Sequence, residues 1–143
     1  LNIERGNKMV QKFRVWDCEL GEMNLVKSIN MKEDGVTLLT ENHNGLTSFM
    51  YYYGKDVPLM LYSGLLDSAH NEIAEKDLVK LNGNIYKAVF VQGAFRLANV
   101  LQPNENLMLL DDVAPHCTIK GHEYKDIDKL ESNTIDNIIK GEF

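Results

Sequence analysis
Cysteine is scarce in this sequence, with two in 143 residues. Cys18 and Cys117 lie far apart and do not amount to the framework of a disulfide-stapled secreted domain. Long apolar runs are missing too. The most apolar stretch, Val57 to Leu66, is interrupted by Pro58, Ser63 and Gly64, and no signal-peptide pattern opens the chain. The expected location is therefore the cytoplasm, with no membrane partner. Basic residues are outnumbered, 15 Lys and Arg against 21 Asp and Glu, for a net charge of −6 and a pI near 5.2. Such a chain repels nucleic-acid backbones and anionic membranes on average, which leaves a local basic patch as the route to either. The rest of the composition is ordinary, 44% hydrophobic and 25% charged. That suits one core or two small lobes and argues against a disordered chain, a collagen-like fibre or a coiled coil.

Residues 1–11 are polar and unpatterned and are expected to be flexible, with Met9 a candidate natural start. Alternation begins at Lys12, where Phe13 and Val15 share one strand face and Arg14 and Trp16 the other. Gly21 and Asn24 read as a turn, with Met23 an apolar anchor beside it. Val36 to Thr40 and Leu46 to Tyr53 read as a hairpin around Asn44-Gly45, which supplies positive-φ positions. Phe49-Met50-Tyr51-Tyr52-Tyr53 is large and apolar or amphipathic on both faces, so each face is expected to be covered, by the domain or by another subunit.

In the second half, Asp77 to Leu81, Asn84 to Val91 and a segment around Phe95 and Leu97 alternate, separated by Asn82-Gly83 and Gln92-Gly93. Further strands are expected near Leu107 to Leu110 and Cys117 to Lys120. Short strands at this spacing predict a meander curled into a small barrel. From Asp126 the period changes to a helical stripe of Ile127, Leu130, Ile135, Ile138 and Ile139. The expectation is a mainly β protein with a short C-terminal helix. Its parts, expected to pack as one compact unit, are an N-terminal β lobe (12–65), a small SH3-like barrel (66–125) and a helical segment (126–143). There is no internal repeat and no low-complexity stretch.

Three segments together resemble the YopX family of small bacteriophage and prophage proteins. The first is Lys12-Phe13-Arg14-Val15-Trp16-Asp17 with Met23. The second, and most specific, is Leu61-Tyr62-Ser63-Gly64-Leu65-Leu66-Asp67, leading to Glu72-Ile73 and Asp77-Leu78-Val79-Lys80. The third is Ile119-Lys120-Gly121-His122-Glu123-Tyr124, running into residues 126–131. The sequence departs from the family pattern at turns: Lys76 stands where a glycine usually precedes Asp77, Ala74 where a tyrosine is common, Ala69-His70 replaces Asn-Gly, and Lys125-Asp126-Ile127 replaces Glu-Asn-Pro. The resemblance implies a mostly β structure and a phage or prophage origin in a bacterial host. It carries no reaction and no catalytic residues.

Several residue groups have types suited to chemistry. His116, Cys117, His122 and Glu123 are the group with metal-ligand side chains, but their spacing matches no Cys-x-x-Cys or His-Glu-x-x-His frame. A buried strand cysteine with surface histidines is the preferred reading, with no metal and no cofactor. Ser63-Gly64 lacks the surroundings of a nucleophile elbow, and adjacent Asp17 and Cys18 point to opposite strand faces. The carboxylates Glu72, Glu75, Asp77, Asp111, Asp112, Asp126 and Asp128 fall in loops and at a helix start. Lys80, Lys87 and Arg96, with Tyr86, Phe90 and Phe95 nearby, form a candidate base-stacking platform for nucleic acid. Phe49, Tyr51, Tyr53 and Tyr62 are the candidate contact residues, since Tyr and Met suit interfaces. The resulting expectation is a non-catalytic, phage-encoded protein that self-associates and acts through contact with phage or host protein. A nucleic-acid-binding accessory factor is the alternative, and an enzyme of unknown reaction the third.

Overall fold
The computed structural model of the protein describes residues 12–54 and 57–126. The chain divides into two compact units, Leu1–Leu61 and Tyr62–Phe143. The expected flexible N-terminus and most of the expected C-terminal helical segment lie outside the described residues; a helical turn begins at 123–126. No helix among the described residues is long and apolar enough to cross a membrane.

The first unit is an antiparallel sheet of β1 (Phe13–Asp17), β2 (Glu22–Met31), β3 (Gly35–Asn42), β4 (Gly45–Tyr52) and the start of β5 (Leu59–Leu66), in the order β4-β3-β2-β1-β5. Phe13 and Val15 do share a face, and Val15 joins Val36 and Leu38 in a buried core flanked by Val26, Ile29, Tyr51, Val57 and Leu59. The hairpin expected at Asn44-Gly45 is present, with Asn42 paired to Gly45 and Gly45 at φ 106°. Gly35 is fixed by packing: a Cβ there would run into the Tyr51 carbonyl, so only glycine lets β4 close this tightly on β3.

One expectation needs correction. The stretch around Asn24 is a strand, not a turn. The chain turns at Gly21 (φ 66°) and at once enters β2, where Asn24 pairs with Val15 and is buried. The alternation of β2 is hidden because its pairing with β3 slips between Val26 and Ser28, which shifts the phase of the pattern midway.

The second unit takes up the rest of β5, which pairs with β6 (Glu72–Ala74) across an irregularity between Tyr62 and Leu66. A five-stranded antiparallel sheet follows, β7 (Asp77–Leu81), β8 (Asn84–Val91), β9 (Ala94–Asn99), β10 (Asn106–Met108) and β11 (Thr118–His122), in the order β10-β9-β8-β7-β11. Both turns of its meander are the tight kind that matches strand twist, with Asn82 and Gly83 at φ 51° and 82°, and Gln92 and Gly93 at 53° and 76°. One face of this sheet closes over a core of Ile73, Val79, Leu81, Ala88, Leu97, Leu109, Ala114 and Cys117. The mainly β expectation holds in both units.

Candidate protein-contact surface
The residues that carry the family resemblance do structural work. Asp17 Oδ1 accepts the N–H groups of Glu19 and Leu20, closing the turn after β1. Asp67 Oδ1 accepts those of Ala69 and Asn71 while its Oδ2 accepts that of Ile119. Asp77 Oδ2 holds the Ala74 N–H, and Asp126 Oδ2 holds that of His122. All four carboxylates are buried. Each satisfies backbone donors, that of Ala74 buried and the others part-buried, so each supports the fold. Ser63 belongs to the same class: its Oγ accepts the Leu65 N–H at the irregularity in β5.

The metal-type residues do not converge. His116 is exposed at the end of a short 3₁₀ turn (Ala114–His116), and Cys117 is buried, with its thiol directed to the Val113 carbonyl. Burial, and secondarily the nearby Asp67, push that thiol's pKa up, which disfavours a ligating thiolate. Glu123 is held by Lys87 at 2.8 Å and Lys76 at 3.3 Å, and Lys76 also lies over the Tyr124 ring. Among the described residues no three His, Cys, Asp or Glu side chains are grouped to hold a metal ion.

Lys80, Lys87 and Arg96 do share one face of β7, β8 and β9, because Lys87 pairs with Leu78 and Ala98, and Arg96 pairs with Val89. Tyr86, Phe90 and Phe95 occupy the opposite face, where Tyr86 and Phe95 pack on the core and Phe90 meets Phe95 edge to face. Cations and aromatics are therefore on different sides of the sheet.

The contact candidates divide in the same way. Phe49 and Tyr51 share the core face of β4, stacked with centroids 6.4 Å apart, and Tyr51 packs on the core. Tyr53 is exposed, its hydroxyl donating to the Lys32 carbonyl. Tyr62 is half-buried opposite Ala74 in the second unit. The larger exposed surface belongs to residues outside those four candidates: Leu46, Met50 and Tyr52 on the other face of β4, at 62%, 39% and 57% exposure. They are half of an alternation whose phase is set by the Asn44-Gly45 turn, and that was the available signal.

Among the described residues β4 is also the end strand of its sheet. Tyr53 N–H bonds the Asp34 carbonyl, and β3 and β4 keep one unbroken register. Hydrogen-bonded pairs alternate along an antiparallel ladder. Thr47, Phe49 and Tyr51 thus bond β3, while the backbone groups of Leu46, Ser48, Met50 and Tyr52 point away from the sheet. The other strands at sheet ends differ: β6 and β10 are three residues long, and β11 is irregular between Ile119 and Gly121. Natural edges are guarded by shortness, bulges, proline or charge. β4 runs for eight residues, Gly-Leu-Thr-Ser-Phe-Met-Tyr-Tyr, with none of these guards.

These features define a two-unit antiparallel β protein whose shared motifs hold turns. The family model described as YopX protein matches residues 12–132, and the chain belongs to the YopX family. Two solved structures share its fold. Protein EF1440 from Enterococcus faecalis is 18% identical with a TM-score of 0.56, covering 87% of this chain and 100% of its own. Protein YopX from Bacillus subtilis is 17% identical with a TM-score of 0.58, covering 85% of this chain and 96% of its own. No curated protein matches the sequence.

Proposed function
We propose that this YopX-family chain is a phage-encoded, non-catalytic protein of the host cytoplasm that self-associates and acts through protein–protein contacts. The observation that carries this reading is the exposed apolar surface of the first unit, where Leu46, Met50, Tyr52 and Tyr53 gather on one hairpin. Large apolar side chains grouped at the surface cost free energy unless a partner covers them. The buried motif carboxylates of Asp17, Asp67, Asp77 and Asp126 support the non-catalytic part, since each is engaged with backbone donors. Light scattering on a sizing column tests the reading: a closed multiple of 16.3 kDa is expected, and a monomer at every concentration overturns it.

Nucleic-acid binding is the second reading, favoured by the shared face of Lys80, Lys87 and Arg96. Against it stand the net charge of −6 and the capture of Lys87 by Glu123. Fluorescence anisotropy with short DNA and RNA separates the two. Binding that weakens steeply with salt and is lost in Lys80→Ala/Arg96→Ala supports this second reading.

A further inference from the structure
We infer that two copies of the chain pair edge to edge through β4, antiparallel about a two-fold axis at Phe49, so that the sheet of one first unit continues into the other. The inference rests on the self-association reading and adds to it a place and a register.

The outward backbone groups belong to Leu46, Ser48, Met50 and Tyr52. In an antiparallel pair, hydrogen-bonded partners must both come from this set. A two-fold axis at Phe49 sets Leu46 opposite Tyr52 of the other copy and Ser48 opposite Met50, and it uses every outward donor and acceptor between them. Axes centred elsewhere on the strand leave one of its ends unpaired. The same register stacks Leu46 on Tyr52 across one face and brings the two Phe49 side chains together on the other, and such cross-strand contacts are the stabilising unit of a sheet.

A second copy suits this edge better than a foreign strand. Each copy carries −6, so like copies repel over most of their surface. Gly45–Tyr52 has no charged residue, and it is a strip where two identical molecules meet without opposing charges. The two-fold pairing also consumes both edges at once and closes, whereas a head-to-tail contact would leave a free edge at each end.

The test is cross-linking in a Cys18→Ser background, because Cys18 is exposed. Phe49 faces itself across the axis as a non-hydrogen-bonded pair, with Cβ atoms roughly 4.5–5.5 Å apart, near the separation a disulfide needs. Cys18→Ser/Phe49→Cys should therefore oxidise largely to a disulfide-linked dimer on a non-reducing gel, while Cys18→Ser alone stays single. Ser48→Pro removes an N–H that points away from β3, and Ser48→Lys adds like charge at the edge; each should turn the wild-type dimer into a monomer with unchanged circular dichroism. Added salt should tighten the wild-type dimer by screening its net charge. An oligomer that survives both Ser48 variants, with no Phe49→Cys cross-link, overturns the β4 pairing and leaves self-association standing. A wild-type monomer overturns both.

Discussion

The Asp67 carboxylate accepts a hydrogen bond from the backbone N–H of Ile119 at 3.0 Å, joining residues 52 apart in sequence. Its other oxygen takes the N–H groups of Ala69 and Asn71 at 2.9 and 2.8 Å, and beside it Ser68 N–H bonds the Cys117 carbonyl. One buried side chain thus shapes a loop and pins it to the start of β11. Asp67→Ala leaves three backbone donors without their acceptor and should cost about 3 kcal/mol in urea denaturation. Asp67→Asn keeps one oxygen for the loop but turns an amide N–H toward Ile119, so an intermediate loss is expected. A loss below about 0.5 kcal/mol for the alanine variant, the size of an ordinary surface change, would remove Asp67 from this role.

Two departures from the family pattern share a backbone cause. His70 and Lys76 stand where the pattern has glycine, and both hold positive φ, 65° and 68°. A side chain in that region costs roughly 1 kcal/mol or more. His70→Gly should therefore raise the urea midpoint. Lys76→Gly gains the same relief but gives up the ion pair to Glu123, so its stability should stay near wild type. Lys76→Ala keeps the strain and loses the pair. It should fall below Lys76→Gly by about 1 kcal/mol, and equal stabilities for the two variants would refute the argument.

The sequence was most legible where turn chemistry and alternation agreed. Asn82-Gly83 and Gln92-Gly93 fixed the second meander, and Asn44-Gly45 fixed the β3–β4 hairpin. β2 was lost because a register slip breaks its alternation and because Asn24 reads as a turn residue. Among the described residues its buried amide has no hydrogen-bond partner, so nothing local marks it as a strand position. The exposed apolar surface of β4 was half legible. Phe49 to Tyr53 stood out by composition, but which of these side chains face outward depends on pairing with β3. That this strand ends its sheet depends on the order of all the others. The base-stacking platform failed for a related reason, since closeness in sequence does not place Lys87 and Tyr86 on the same side of a strand.

The two cysteines should differ sharply in reactivity. Cys18 sits exposed in the turn after β1, whereas Cys117 is buried with its thiol pKa pushed up. A thiol reagent at neutral pH should add one label to the folded chain, at Cys18, and a second only after denaturation, as read by intact mass. Labelling of Cys117 at a similar rate in the folded protein would show that the second unit's core opens readily.

Glu123 gives the second unit a defined acid sensitivity. Burial alone would raise its pKa, but hydrogen bonding and charge from Lys87, and then from Lys76, outweigh that and hold it below the usual carboxylate range. A carboxyl group whose pKa is lowered on folding stabilises the protein above its unfolded value, about 4.3, and that contribution is lost as pH falls through the lower folded value. Lys76 behaves in the opposite sense. Burial disfavours its charge, but Tyr124 and Glu123 more than offset this and raise its pKa, so its share disappears only as pH rises past the ordinary lysine range. Glu123→Gln should cost about 1 kcal/mol at pH 7, in keeping with partly exposed ion pairs. Its unfolding curve should then converge on that of the wild type as pH drops from 6 toward 3. A difference that persists unchanged at pH 3 would mean that Glu123 acts by packing and not by charge.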